Sequence, residues 1–408
     1  MIYCGEGALE KLVDYCQTHQ LDRFLLVADE NTYRVLGQHA EASLKEQGWD
    51  IRCVLLSGGE VVADESRLVE VLVVAGNEQR TFLSVGSGTI TDITRFTSHR
   101  SHNRFISLPT APSVDGYTSV GAPLILKSFK RTIPAHPPEA IFADLKTLCE
   151  APRPMVAAGF GDILGKLTAI ADWKLGHLVW DEPYSEDIAR RVQHALSESM
   201  ENLDEICRAL PHGIARLMMG LFETGQCIAD FGNSRPVSGS EHLLSHYWEI
   251  KLLQSHRPAQ LHGAQVGVGT VLAARMYERL RGLDQAGAQA RLQAYVWPDP
   301  QDEIVRIRQA YGPAAPEVIA THQDFLYLNP QAVQALKQRI IQSWAEIQNI
   351  AAPVPSAAQV IDLLEQAGGV TSPQALGLTE EEISSGLIDS HYMRDRFMAG
   401  KLCRMLGL

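Results

Sequence analysis

Three polar clusters in the second half of the chain, each set among small or apolar residues, carry side chains suited to a metal ion. They are Gly159-Phe160-Gly161-Asp162, Glu241-His242-Leu243-Leu244-Ser245-His246 and Leu261-His262-Gly263. One carboxylate and two or three imidazoles from separate segments are the donors of an open divalent site that can polarise a substrate oxygen. His242 and His246 stand four apart, so on a helix they stack on one face. The spacing approaches H-E-x-x-H but lacks the internal Glu, which removes the general base of a metallopeptidase. Asp162 also fits a helix N-cap, since glycines precede it and an apolar-periodic run begins at Ile163. A lone His is more often a packed core residue; three of them with a carboxylate favour a metal.

These side chains need a scaffold, and the first 150 residues supply one of recognisable type. Short β-rich runs at 23–28, 51–56, 81–85, 105–108 and 140–143 alternate with helix-length spacers, which predicts a parallel sheet with helices on its faces. The first run ends at Asp29, and the third enters Gly86-Ser87-Gly88-Thr89-Ile90-Thr91-Asp92. Ligands of open α/β sheets bind at such strand ends. The glycine-rich turn can present backbone amides to a pyrophosphate, although the full G-x-G-x-x-G fingerprint is missing because Thr91 holds its last position. Asp29 suits either an adenosine ribose or an N-cap. A second strand-to-loop junction, Thr110-Ala111-Pro112-Ser113-Val114-Asp115, displays hydroxyls and a carboxylate on a proline-stiffened loop. An ordinary proline-rich turn accounts for it equally well.

Five prolines (134, 137, 138, 152 and 154) mark where the strand pattern stops, and a domain boundary is expected near residue 152. Beyond it helical periodicity dominates, as in 187–210, 213–229, 266–280 and 331–350, so residues 153–408 are expected to be all helical. The break at Ala351-Ala352-Pro353-Val354-Pro355 separates two helices.

Bulk properties narrow the function. A chain of 408 residues is long enough for two cores and a cleft. With 36 Lys+Arg against 48 Asp+Glu the net charge is −12, which disfavours nucleic acid and anionic membranes and favours small-molecule partners. Seven scattered cysteines without a C-x-x-C pair suggest a reducing cytoplasm rather than disulfides or a thiolate zinc site. No signal peptide and no uninterrupted apolar run of about 18 residues is read.

The phrases G-S-G-T-I-T-D (86–92), L-P-T-A-P-S-V-D-G (108–116), G-F-G-D-I-L-G-K-L-T-A-I-A-D-W (159–173), S-G-S-E-H-L-L-S-H (238–246) and L-H-G-A-Q-V-G-V-G-T (261–270) occur in order. Together they resemble the sn-glycerol-1-phosphate dehydrogenases, within the superfamily of iron-type alcohol dehydrogenases and dehydroquinate synthase. The resemblance implies a Rossmann-like dinucleotide-binding domain (1–152) followed by an all-α metal- and substrate-binding domain (153–408). It implies reversible reduction of dihydroxyacetone phosphate with NAD(H) or NADP(H) and one divalent ion, zinc first, nickel or iron next. Asp162, His242 and His262 match the family's metal ligands, and Asp115, Asp162 and His246 its substrate contacts, with Asp162 and His246 closest to the chemistry. Asp29, residues Gly86 to Asp92, Thr110, Ala111, Pro112, Ser113 and Ser119 match its nucleotide contacts. Gly165 and Lys166 depart from its usual small polar residues, leaving the phosphate anchor open. A cytoplasmic homodimer serving lipid metabolism is the remaining expectation. The alternatives are a glycerol or small-alcohol dehydrogenase, a dehydroquinate-synthase-like lyase, and a silent nucleotide-binding protein. The lyase needs many cations, and near the motifs only Arg95, Lys127, Lys130, Arg131 and Lys166 are at hand.

Overall fold

The computed structural model describes residues 1–59, 61–126 and 129–408, so Lys127 lies outside the described residues. Two compact units divide the chain: residues 1–163 with 197–230, and residues 164–196 with 231–408.

The first unit is built on six parallel strands: β1 (Ile2–Gly5), β2 (Arg23–Asp29), β3 (Asp50–Leu56), β4 (Thr81–Gly86), β5 (Phe105–Pro109) and, after a hairpin of β6 (Gly121–Leu126) with β7 (Phe129–Pro134), β8 (Ala140–Asp144). Their order is β1-β8-β5-β4-β2-β3, every pairing parallel, and β6 and β7 pair antiparallel as a separate ribbon. All five runs read from the sequence are strands. The edge strand β1 and the β6-β7 ribbon were not anticipated. β1 is four half-buried residues long, too short for a periodic signal, and the ribbon carries Pro123 and Pro134, which disguise strands.

Strand β2 shows why the sheet is covered on both faces. Side chains alternate along a strand, and Phe24, Leu26 and Ala28 enter one apolar cluster while Leu25 and Val27 enter the other. All five are fully buried. Each large aliphatic or aromatic side chain so placed contributes roughly 1.5–3 kcal/mol relative to exposure. From β2 the chain passes to β3 on one side and then to β4 on the other, so strand order reverses between β2 and β4. That is where open α/β sheets bind their ligands, and it is where Asp29 and the Gly86 turn emerge.

Arg95, counted above among candidate cations, is instead structural. Fully buried, it donates to Asp92 Oδ1 (2.6 Å) and to the carbonyls of Gly116 (2.6 Å), Tyr117 (2.9 Å) and Gly121 (3.1 Å). It fixes the 3-10 turn Asp115–Thr118 from below. Arg95→Met leaves Asp92 and those carbonyls without their cation, and is expected to cost about 3–5 kcal/mol in urea denaturation. A loss below about 1 kcal/mol would contradict the role.

Beyond Leu145 every regular element among the described residues is helical. The stretch Arg153–Trp180 is long and apolar, with a mean hydropathy of 1.2 over its best window, although Arg153, Asp162, Lys166, Asp172 and Lys174 fall within it. Since 83% of that window is buried in the protein, it reads as a core helix. The expected break after Ala351 is present, the next helix starting at Ala357. Two predicted helices are divided, 187–210 at Asn202 and 331–350 at Ser343.

Candidate active site

In the first unit, the helix Gly88–Arg100 starts directly off β4, with Ser87 as an N-cap that makes no side-chain cap hydrogen bond. The first intrahelical bond of this turn runs from Thr91 N–H to Ser87 O (3.0 Å). The amides of Gly88, Thr89 and Ile90 therefore precede the intrahelical ladder, at the positive end of the helix dipole. Residues 87–89 are half-exposed, whereas Ile90 and Thr91 are buried. So within the predicted 86–92 grip residues 87–89 are the half-exposed ones, and the amides of Gly88, Thr89 and Ile90 are left outside the helix ladder. Gly86 is needed for packing: a Cβ there would lie 2.6 Å from Ile90 Cβ. Asp92 is tied to Arg95, and burial pushes its carboxyl up, to about 7, with Arg95 and Lys130 pulling against it.

Asp29 realises the N-cap reading. Its Oδ1 accepts from Thr32 N–H (2.8 Å), and Thr32 Oγ1 accepts from Asp29 N–H (3.0 Å), a capping box. Thr110, Ala111, Pro112 and Ser113 form a buried loop after β5, held by Thr110 N–H on Gly86 O (3.3 Å) and Tyr117 Oη on Ala111 O (2.6 Å). Ser119 Oγ accepts from Gly121 N–H (3.0 Å) where the ribbon begins. Asp115 is buried and gives its backbone N–H to Asp162 Oδ2 (2.9 Å). Asp162 is thus not an N-cap: it lies within the helix Arg153–Leu164, fully buried, with an amide aimed at its carboxylate. The turn carrying Asp115 also rests on the helix Pro211–Phe231, where a Cβ on Gly225 would lie 2.3 Å from Asp115 O.

In the second unit, His242 and His246 sit on the helix Ser240–Gln254, and His262 opens the helix His262–Arg281. Their ring centres form a triangle of 5.4, 5.6 and 6.2 Å. Two imidazoles sharing a tetrahedral zinc, with Zn–N of about 2.0–2.1 Å, have ring centres about 5 Å apart, so the geometry suits a shared ion. His242 Nδ1–H donates to Glu241 Oε1 (2.7 Å), which leaves the ring lone pair on Nε2. A carboxylate behind a ligating histidine is the usual outer-shell partner of a metal site. Burial favours protonating Glu241, but hydrogen bonds from His242, Thr168 (2.6 Å) and the Gly239 amide (2.6 Å) outweigh it and hold the carboxyl low. The two helices touch here: a Cβ on Gly269 would lie 2.4 Å from Glu241 O.

His246 Nδ1 donates to Glu249 Oε2 (3.0 Å), and His246, Glu249 and His262 bring ligand atoms within 4.8 Å of one another. Glu249 was missed in the sequence, although its i+3 spacing from His246 places it on the same face. Asp172 was missed too, despite being the lone charge in Ala169-Ile170-Ala171-Asp172-Trp173. Buried, it accepts from the Ser240 amide (2.6 Å), the Ala399 amide (2.8 Å) and Tyr277 Oη (2.7 Å), tying four helices below His242. Burial first, then Glu241, push its carboxyl from 3.8 up to about 6. A raised folded pKa gives stability that is complete below about 4 and lost as pH rises through about 6. In metal-stripped protein Asp172→Asn should flatten the change in melting temperature across that window; an unchanged slope would rule Asp172 out. Lys166 is fully buried.

An iron-containing alcohol dehydrogenase family profile matches residues 3–152. The glycerol-1-phosphate dehydrogenase (NAD(P)+) of Bacillus subtilis (strain 168) is 40% identical over 333 residues, covering 79% of this chain and 84% of that protein. The enzyme of the same name from Halalkalibacterium halodurans is 36% identical over 395 residues, 96% of this chain and 89% of its own. Among solved structures, the alcohol dehydrogenase from Oenococcus oeni superposes with a TM-score of 0.62 at 13% identity, over 100% of this chain and 97% of that one. Sulfoacetaldehyde reductase from Bifidobacterium kashiwanohense, in complex with NAD+, gives 0.62 at 14% identity, over 100% and 96%. These likenesses concern the fold.

Proposed function

The chain belongs to the glycerol-1-phosphate dehydrogenase family, and from that premise we propose that it reduces dihydroxyacetone phosphate to sn-glycerol 1-phosphate with NADH or NADPH. The observation that carries the reading is 40% identity to a protein of that name over 84% of its length. A helical unit in which His242 is backed by Glu241 and stands 5.4 Å from His262, ring centre to ring centre, supports it.

Residues 1–152 serve as the dinucleotide domain and 153–408 as the metal and substrate domain. The amides of Gly88, Thr89 and Ile90 receive the pyrophosphate, Thr110 to Ser113 and Ser119 line the nicotinamide side, and Asp29 meets the adenosine ribose. Asp162, His242 and His262 would hold one divalent ion, and their oxygen and nitrogen donors suit zinc first, nickel or iron next. The bound ion would polarise the substrate carbonyl as a Lewis acid. Glu241 keeps His242 in the Nδ1–H tautomer, which leaves Nε2 as the nitrogen that would hold the ion. The Asp115 amide, donating to Oδ2, holds the Asp162 carboxyl in place. His246, positioned by Glu249, delivers the proton to the new hydroxyl. With Arg95 committed to the Asp115–Thr118 turn, one fewer cation serves the lyase alternative. A cytoplasmic homodimer completes the proposal, checked by fractionation and light scattering.

Metal-loaded protein given NADH should oxidise it with dihydroxyacetone phosphate at least about 100-fold faster, in kcat/KM, than with dihydroxyacetone, since a site built for a charged group rejects its absence strongly. Equal rates would return the alcohol-dehydrogenase alternative. Chiral resolution of the product should yield the sn-1 phosphate; the sn-3 isomer would refute the assignment.

A further inference from the structure

A second group of ionisable side chains, none of them assigned above, surrounds a small cavity in the second unit. Glu303, His322, Phe325, His391, Lys401 and Arg404 line about 30 Å³ of empty space. A water needs at least about 10–15 Å³ by the same measure, so there is room for a water or two, or an ion of similar size. Glu303, His322, His391 and Lys401 are all more than nine-tenths buried.

Most of the polar capacity here is already matched. Arg404 forks onto Glu303, Nη2 to Oε1 (2.6 Å) and Nη1 to Oε2 (2.7 Å), and Nη1 also reaches Tyr392 Oη (2.7 Å). Tyr392 Oη donates to Glu303. Arg404 Nη1 further donates to His391 Nε2 (3.1 Å). Guanidinium offers no lone pair, so Nε2 is the acceptor and a neutral His391 carries its proton on Nδ1. Among the described residues that Nδ1 is buried and meets no partner, and the same is true of His322 Nδ1. Among the described residues Lys401 reaches His391 O at 3.3 Å and the face of Phe325 at 4.0 Å. Two cations therefore share one lining carboxylate. Asp395 attracts Lys401 without lining the cavity.

We propose that this cavity binds one small inorganic anion of halide size, held by the His391 Nδ1–H and the Lys401 ammonium, with His322 beside it. A trapped water would answer the N–H but not the surplus positive charge, and a buried uncompensated charge is the costlier defect. Burial, with Lys401 and Arg404 adding to it, holds both imidazoles well below their usual range, so they are neutral beside Arg404. Burial also lowers the Lys401 ammonium, from 10.5 to about 7, and an anion in the cavity would hold it charged.

Chloride titration followed by ³⁵Cl NMR linewidth on the full chain tests this. Wild type should show saturable broadening that bromide displaces, and His242→Ala should keep it, which separates this cavity from the metal residues. Lys401→Met should weaken it at least about tenfold, a single charge-assisted contact being worth that much. Should Lys401→Met fail to fold by circular dichroism, His391→Phe, which deletes the N–H and spares the ammonium, must weaken it in its place. No saturable broadening in wild type, full broadening in a folded Lys401→Met or His391→Phe, or its loss in a folded His242→Ala would each overturn the site.

Discussion

His262→Ala is expected to lose bound metal and dehydrogenase activity together, with kcat/KM down by at least about 10³-fold, because the ligand set drops to two protein donors and Lewis-acid stabilisation of several kcal/mol goes with it. His246→Ala is the informative comparison. It should keep near-stoichiometric metal by mass spectrometry while kcat falls by about 10²–10⁴, the usual range for a lost proton donor. The two outcomes are distinguishable because the structure offers the helical unit's imidazoles in two combinations. His242 has Glu241 behind it at 2.7 Å, and His246 has Glu249 at 3.0 Å, with Glu249 and His262 near enough to share an ion. Metal loss in His246→Ala as complete as in His242→Ala would transfer the site to His246, Glu249 and His262. Intact metal in His262→Ala would remove His262 from either.

How much of this was legible beforehand depended on whether the signal was local. The strand runs ending at Asp29 and Gly86 are local apolar patterns, and both are strands. The reversal of strand order between them is a pairing fact, which no run of residues contains. Similarly, His242, His246 and His262 could be picked out by type, but their backing could not. Glu241 was read as part of a motif, yet its bond to the adjacent imidazole needs the turn at Gly239 and the hydroxyl of Thr168, 73 residues away. Asp172 acts through helix ends at Ser240 and Ala399, and Arg95 through carbonyls 21 to 26 residues distant. Such buried polar residues look in sequence like free functional groups. What distinguishes them is who satisfies their hydrogen bonds, a tertiary property.

Gly159 carries the second large expected effect. A Cβ at this position would stand 1.8 Å from Pro112 O, inside the 3.0 Å that real Cβ contacts keep, so backbone must retreat by 3.0 − 1.8 = 1.2 Å. Pro112 belongs to the loop expected to contact the nucleotide, and three residues along the same helix face Asp162 receives the Asp115 amide. The loop therefore rests on this helix at two points, one made of a missing side chain and one of a carboxylate. Gly159→Ala opens the first and pulls the second, displacing at once the loop and the Asp162 carboxylate, the proposed cofactor contact and metal ligand. Overpacking of this kind costs about 1–3 kcal/mol, small enough for the protein to stay folded. A misplacement of about 1 Å at reacting groups can still remove about 10²-fold in rate. Gly159→Ala should thus keep its circular dichroism spectrum yet lose about 100-fold in kcat/KM, with weaker NADH binding by fluorescence. Wild-type kinetics in the folded variant would mean that neither the loop nor Asp162 is positioned by this contact.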